Sequence, residues 1–203
     1  MSWSGRAARA VVVASLVAGT LAAQGLHPQF GVGGGLLAPV GDYHSTANGQ
    51  GFNTAWQALA LFSFRLPGLP VGFRVDATYG ANSANDRLKA ELTSRFGQAT
   101  DEKTKLAGAS VNVTYPLSSS ARVQPYVIGG VGLYHTTIAV STSDSTASDA
   151  ATKLAWNLGA GVDFGLRGVA LFFEARYVNV AAVSGFPRTT FLPFTAGIRF
   201  GGR

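Results

Sequence analysis

The sequence contains no cysteine, which excludes a disulfide scaffold, a thiol enzyme and a cysteine-ligated metal centre. Charge is scarce: Asp, Glu, Lys and Arg together make up 13% of 203 residues, about half the usual share. Long apolar runs are lacking too. Ala10 to Ala23 is the only nearly apolar stretch, and it falls short of the roughly 20 residues that a spanning helix needs. A helical membrane bundle is therefore excluded. So is a disordered chain, because 47% of the residues are apolar and the aromatics are spread along the length. Glycine is abundant instead, at 26 residues. A glycine-rich, charge-poor and mildly apolar chain without a spanning helix suggests a β-barrel that faces lipid.

The first residues read as an export signal. Arg6 and Arg9 precede the apolar run, and Leu21-Ala22-Ala23-Gln24 offers small residues to a signal peptidase. A charged start, a short apolar middle and a small-residue exit define a secretory signal. Residues 1–23 are assigned to it, with cleavage after Ala22 or Ala23, and 24–203 to one barrel domain. Loss of Arg6 and Arg9 leaves 14 basic residues against 10 acidic ones, so the formal charge falls from +6 to +4. Without alternating basic and aromatic patches, no nucleic-acid partner is expected.

The rest of the chain alternates at period two, the signature of strands with unlike faces. Leu154, Trp156, Leu158, Ala160, Val162 and Phe164 alternate with Lys153, Asn157, Gly159, Gly161 and Asp163. Residues 71–79, 107–115 and 192–200 repeat the pattern, and 29–40, 54–65 and 169–180 do so less regularly. Residues 124–140 are strand-like, but Val127, Ile128, Val131 and Leu133 occupy both parities and leave that orientation open. The gaps alternate as well. Those near 41–53, 81–104, 141–152 and 181–189 are long and polar, whereas 66–70, 118–122 and 165–168 are short and carry turn residues. This rhythm predicts an all-β, eight-stranded antiparallel up-and-down transmembrane β-barrel with one elaborated rim.

Aromatic placement fits two girdles at the headgroup boundaries. Trp56, Tyr79, Tyr134, Trp156 and Tyr177 fall near the long-loop ends; Phe64, Tyr115, Tyr126 and Phe164 fall near the short-turn ends. With its signal, its alternating strands and a last strand reading Phe194-Thr-Ala-Gly-Ile-Arg-Phe200, the chain resembles the small outer-membrane β-barrel proteins of the OmpA/OmpX type, porin-like in architecture. The resemblance implies a bacterial outer-membrane location, contact with outer-membrane lipid, and a terminal aromatic, here Phe200, offered to the barrel-insertion machinery. No peptidoglycan-binding domain is expected after the last strand.

The parity places Arg65, Arg74, Asp76, Asp163, Glu174, Arg176 and Arg199 inside the barrel. Eight strands enclose an interior just wide enough to fill with side chains, where charges persist only if paired and hydrogen-bonded. An ionic plug is favoured over a gated pore, with Glu174 or Asp163 expected to pair with Arg74, Arg176 or Arg199. Residues 85–96 break the period: Leu88, Leu92 and Phe96 recur at helical spacing, with Arg87–Glu91 and Glu91–Arg95 as supporting pairs. Ser83 and Asp86 resemble a capping box for this helix. It reads as a lid over the barrel mouth or, alternatively, as part of an 81–104 docking surface for an extracellular partner.

Catalytic chemistry finds little support. His135 beside Thr136 is the only nucleophile-and-base arrangement, and no carboxylate in sequence orients it. His27 and His44 have no ligand spacing, and Asp144 with Asp149 are too few for a calcium site. No cofactor is expected. The sequence thus predicts a non-enzymatic, monomeric outer-membrane barrel with a structural or surface-interaction role. A narrow small-solute channel is the first alternative and a lipid-modifying enzyme the second. A secreted barrel with a lumenal ligand is the third.

Overall fold

The computed structural model describes residues 28–45, 51–118, 122–142, 145–183 and 187–201; residues 1–23, expected to be an export signal, together with His27 and Asp144 lie outside them. Eight strands pair in sequence order into a closed barrel. They are β1 (Gln29–Pro39), β2 (Ala55–Arg65), β3 (Gly72–Ser83), β4 (Asp101–Pro116), β5 (Val123–Ser141), β6 (Thr146–Gly165), β7 (Val169–Val180) and β8 (Thr189–Gly201). Closure runs from Gln29↔Gly201 to Pro39↔Phe191. In lipid an open sheet edge would strand backbone donors and acceptors, and closure removes it.

The alternation in the sequence becomes a difference between faces. On β4, Val111, Val113 and Tyr115 are exposed while Ser110 and Asn112 are buried. That is inside-out for a soluble protein and correct for a barrel in lipid. The short turns carry the residues their geometry requires: Gly68 and Gly168 adopt positive φ, at 82° and 80°, which costs a side-chain-bearing residue strain.

Two prolines sit in the closing strands without breaking the register. The β1–β2 ladder ends at Leu37↔Ala55, so Pro39 pairs with β8 alone. In the β7–β8 ladder the pairing skips from Ala175↔Phe194 to Val178↔Phe191 and resumes in the same register. Pro193 occupies that interruption, where its missing N–H is tolerated.

Strands β4, β5 and β6 are longer than the sequence rhythm predicts, at 16, 19 and 20 residues. A span needs about 9–11. Much of the expected 141–152 loop is therefore ladder, with Ile138↔Asp149 and Ser141↔Thr146 still paired. On β5 the pairing continues past the apolar band through Thr136, Thr137, Ile138 and Val140, whose β-branched side chains favour extended backbone. The pairing also settles β5: Tyr115↔Val127 turns Val127, Val131 and Leu133 outward. Tyr126 and Tyr134 consequently point inward and are buried, which corrects their placement in the girdles.

Helix α1 (Asp86–Phe96) stands in the second long connection. Its cap is Asn85 and not the expected Ser83–Asp86 pair: the Asn85 side chain accepts a 2.9 Å bond from the Leu88 N–H. Gly97, at φ 71°, closes the other end. Leu88 packs with Tyr43, Phe52 and Ala84, and Leu92 leans on the same cluster, while the Phe96 side chain lies outside the description. The buried Tyr43 phenol is held well above its ordinary pKa by desolvation. Asn85→Ala is expected to destabilise the helix by about 1 kcal/mol. Amide hydrogen exchange at Leu88–Leu92 should accelerate about fivefold while the barrel's denaturation midpoint stays put; unchanged exchange would mean that packing alone holds the helix.

Candidate functional site

The lumen of the barrel is filled by a closed ring of charge. Its origin is two short strand motifs, Arg74-Val75-Asp76 on β3 and Glu174-Ala175-Arg176 on β7. Residues two apart on a strand share a face, about 7 Å from one another, so each motif sends one cation and one anion inward. β3 and β7 are both odd-numbered strands of an up-and-down barrel and run in the same direction. Opposite sign order on co-directional strands then sets each cation against an anion across the lumen.

The distances show it. Arg74 donates from Nε to Asp76 at 2.6 Å and from Nη1 and Nη2 to Glu174 at 2.7 and 3.2 Å. Arg176 donates to Glu174 and to Asp76, both at 2.7 Å. Each arginine bridges both carboxylates and each carboxylate bridges both arginines. Arg74 is wholly buried, and Asp76, Glu174 and Arg176 nearly so. Neutral side chains complete the satisfaction of the ring. Asn112 donates to Asp76 at 2.9 Å, and Asn157 donates to the Asn112 side-chain Oδ1 at 2.8 Å. The Tyr126 phenol donates to Glu174 at 2.7 Å and accepts from Arg199 at 2.9 Å.

Arg199 also pairs with Asp163 at 2.7 Å. Three arginines and three carboxylates thus neutralise one another. Arg65 is not among them: it ends β2 at the short-turn opening, is exposed, and donates to Gln124 at 3.0 Å. Water reaches that mouth, so the cation needs no carboxylate.

Apolar clusters flank the ring. Beside it, Phe172 packs with Leu59 and Leu61, Leu61 standing directly opposite Asp76 in register, and the Arg199 guanidinium lies 4.9 Å from the Phe172 ring centroid. Toward the long loops, Leu37, Leu106, Tyr134, Ala155, Val178, Val180 and Phe191 form a second buried layer. Between that layer and the ring lies a cavity of about 10 Å³, lined by residues including Gln57, Tyr134, Glu174 and Arg176. It is large enough for about one water molecule.

Tyr126 was the participant least visible in sequence, because its strand could not be oriented. Asn112 stood on the polar parity of its strand but drew no attention because it carries no charge.

The seven aromatics expected at the membrane interface, Trp56, Tyr79, Tyr115, Trp156, Phe164, Tyr177 and Phe200, all project outward, 37–54% exposed. Trp56 meets Tyr79 at 5.8 Å and Trp156 meets Tyr177 at 5.4 Å between ring centroids. His135 also faces outward, its Nδ1 3.1 Å from Thr152 Oγ1. Thr136 is buried on the opposite face, so the two do not form a nucleophile–base pair. Among the described residues, no group of three or more His, Asp and Glu is placed to hold a metal ion.

Comparison with known proteins agrees with this architecture. The barrel superposes on Neisserial surface protein A with a TM-score of 0.54 at 19% identity, covering 87% of this chain and 96% of that one. It superposes on a major outer membrane protein from Thermus thermophilus with a TM-score of 0.60 at 11% identity, covering 87% and 98%. At such identities the likeness is one of fold. No curated protein matches the sequence significantly. The family of the outer membrane protein beta-barrel domain matches residues 10–200, nearly the whole sequence. The chain belongs to that outer-membrane barrel family.

Proposed function

We propose that the protein is a non-conducting, non-catalytic barrel of the bacterial outer membrane, with a structural or surface-interaction role. The observation that supports this most directly is the filled lumen: a neutral, mutually satisfied ionic ring with one apolar cluster beside it and another toward the long loops. Moving an ion through it would require separating buried pairs, at several kcal/mol each. Residues 1–23 act as a cleaved export signal, and the mature chain, with an outward Phe200 in the last, turn-proximal part of β8, is delivered to the insertion machinery. It works as a monomer. The aromatics of both girdles sit at the headgroup boundaries, the long connections face outward from the cell, and the 81–104 segment with α1 is the surface offered to an extracellular partner.

The test is conductance. Purified, refolded barrel in planar bilayers at molar salt is expected to give no stepwise current. Stable steps that change in size on substitution of Arg74 or Glu174 would sink the proposal in favour of a narrow channel. Catalysis is tested separately: hydrolysis or acyl transfer on outer-membrane lipid that disappears in His135→Ala would make the protein an enzyme.

A further inference from the structure

The outward face of β4 changes character abruptly. Tyr115, Val113, Val111, Ala109 and Ala107 belong to the apolar band, and the next two outward positions are Lys105 and Lys103. Neighbouring strands change at the same level. On β5 the outward series Val127, Val131 and Leu133 gives way to His135 and Thr137. On β3 the band ends at Tyr79, followed by Ala81 and Ser83. Tyr79, Ala107, His135 and Thr152 are successive partners across four strands, and Ala81, Lys105 and Thr137 form the next row. Directly opposed side chains stand about 5 Å apart. Ala107 is therefore a small floor with a phenol on one side, an imidazole on the other and an ammonium above.

Acid is distant from this floor. Asp101 lies further up β4, 3.4 Å from Lys89 and 3.9 Å from Lys103. Among the described residues, no Asp or Glu occupies the outward face of β3 to β6 between it and the apolar band. His135 bonds Thr152 through Nδ1, which directs Nε2 away from that bond.

We propose that Tyr79, Lys105 and His135, with Lys103 above them, hold the phosphate of an outer-leaflet lipid over Ala107. The cations stand immediately beyond the apolar band, where a lipid phosphate meets its acyl chains. The exposed Val111, Val131 and Leu133 directly beneath supply the surface those chains cover. A free anion would have no use for that apolar continuation. Each lysine near a charged headgroup contributes about 1 kcal/mol, so the pair is worth about thirtyfold in affinity. The inference rests on the orientation given above, with the long connections outside. Surface proteolysis of the α1 segment in whole cells tests that orientation separately.

The probe is lipid A carrying two phosphates, added to the refolded full-length barrel in neutral maltoside micelles, with bound lipid read by native mass spectrometry. The wild type is expected to retain the lipid, and the triple variant Lys103→Gln, Lys105→Gln, His135→Gln to bind it about thirtyfold more weakly. A heat-dependent gel shift equal to that of the wild type establishes that the variant folds, and all three positions face outward. The same lipid stripped of its phosphates should bind the wild type no better than the variant binds intact lipid. Affinity of the triple variant within threefold of wild type, or equal retention of the stripped lipid, overturns the site. Movement of the His135 ring signals by millimolar inorganic phosphate alone would overturn the lipid assignment in favour of a free ion.

Discussion

Replacing Arg74 with Met is expected to lower the unfolding free energy of the barrel by about 3–5 kcal/mol. The guanidinium is wholly buried and makes three of the short bonds in the ring. Its removal leaves Asp76 and Glu174 facing a single Arg176, so one negative charge is buried without a counter-ion. The cost comes from that orphaned charge more than from the bonds themselves. Removing Glu174 as well, in Arg74→Met with Glu174→Gln, restores charge balance around Asp76 and Arg176. The double variant should therefore be less destabilised than the sum of the two single changes, by more than 1 kcal/mol in a double-mutant cycle. Urea titration of barrels refolded into vesicles, followed by tryptophan fluorescence, measures all four states. A cost below 1 kcal/mol for Arg74→Met would mean that water compensates the carboxylates, and the filled-lumen argument against conductance would fail with it.

Two adjacent glycines should respond oppositely to the same change. A Cβ built on Gly33 would lie 2.8 Å from the Ala196 carbonyl oxygen, 2.9 Å from the Phe172 ring and 3.0 Å from Thr195. One built on Gly34 would meet only the Gln57 carbonyl oxygen, at 3.4 Å. Gly33 faces the lumen on the closing strand, against Phe172, which is fully buried. Gly34 faces lipid. Gly33→Val is expected to cost about 3 kcal/mol by overpacking and to reduce the fraction of protein that runs as the compact unboiled form. Gly34→Val should be neutral or slightly stabilising, since a β-branched residue replaces glycine in a strand without a clash. Loss in Gly34→Val with Gly33→Val tolerated would mean that the β1 register is displaced by one residue.

Much of this fold was legible in the sequence because a barrel wall has only two faces and each strand must declare them. Leu154 to Phe164 reads outward on every second residue, and the strand follows it. Arg74, Asp76, Glu174 and Arg176 read inward by the same parity. The long and short connections distinguish one rim from the other. Helix α1 was visible because three apolar residues left the period of two. Where parity was mixed, the reading stopped: Tyr126 and Tyr134 looked like interface aromatics until pairing with β4 turned them into the lumen.

By itself, then, the sequence determined the strands, the closed up-and-down order and, except on β5, which residues face inward, because alternation is a local property. Only the tertiary structure decided the rest. Which cation meets which anion depends on β3 and β7, about 100 residues apart in sequence, standing opposite across the lumen and running the same way. Whether Arg65 joins them depends on how far water enters the short-turn mouth. Which of the consecutive glycines 33–35 tolerates a side chain depends on what the closing strand and Phe172 bring against it. These are properties of non-local contact, and neither composition nor period carries them.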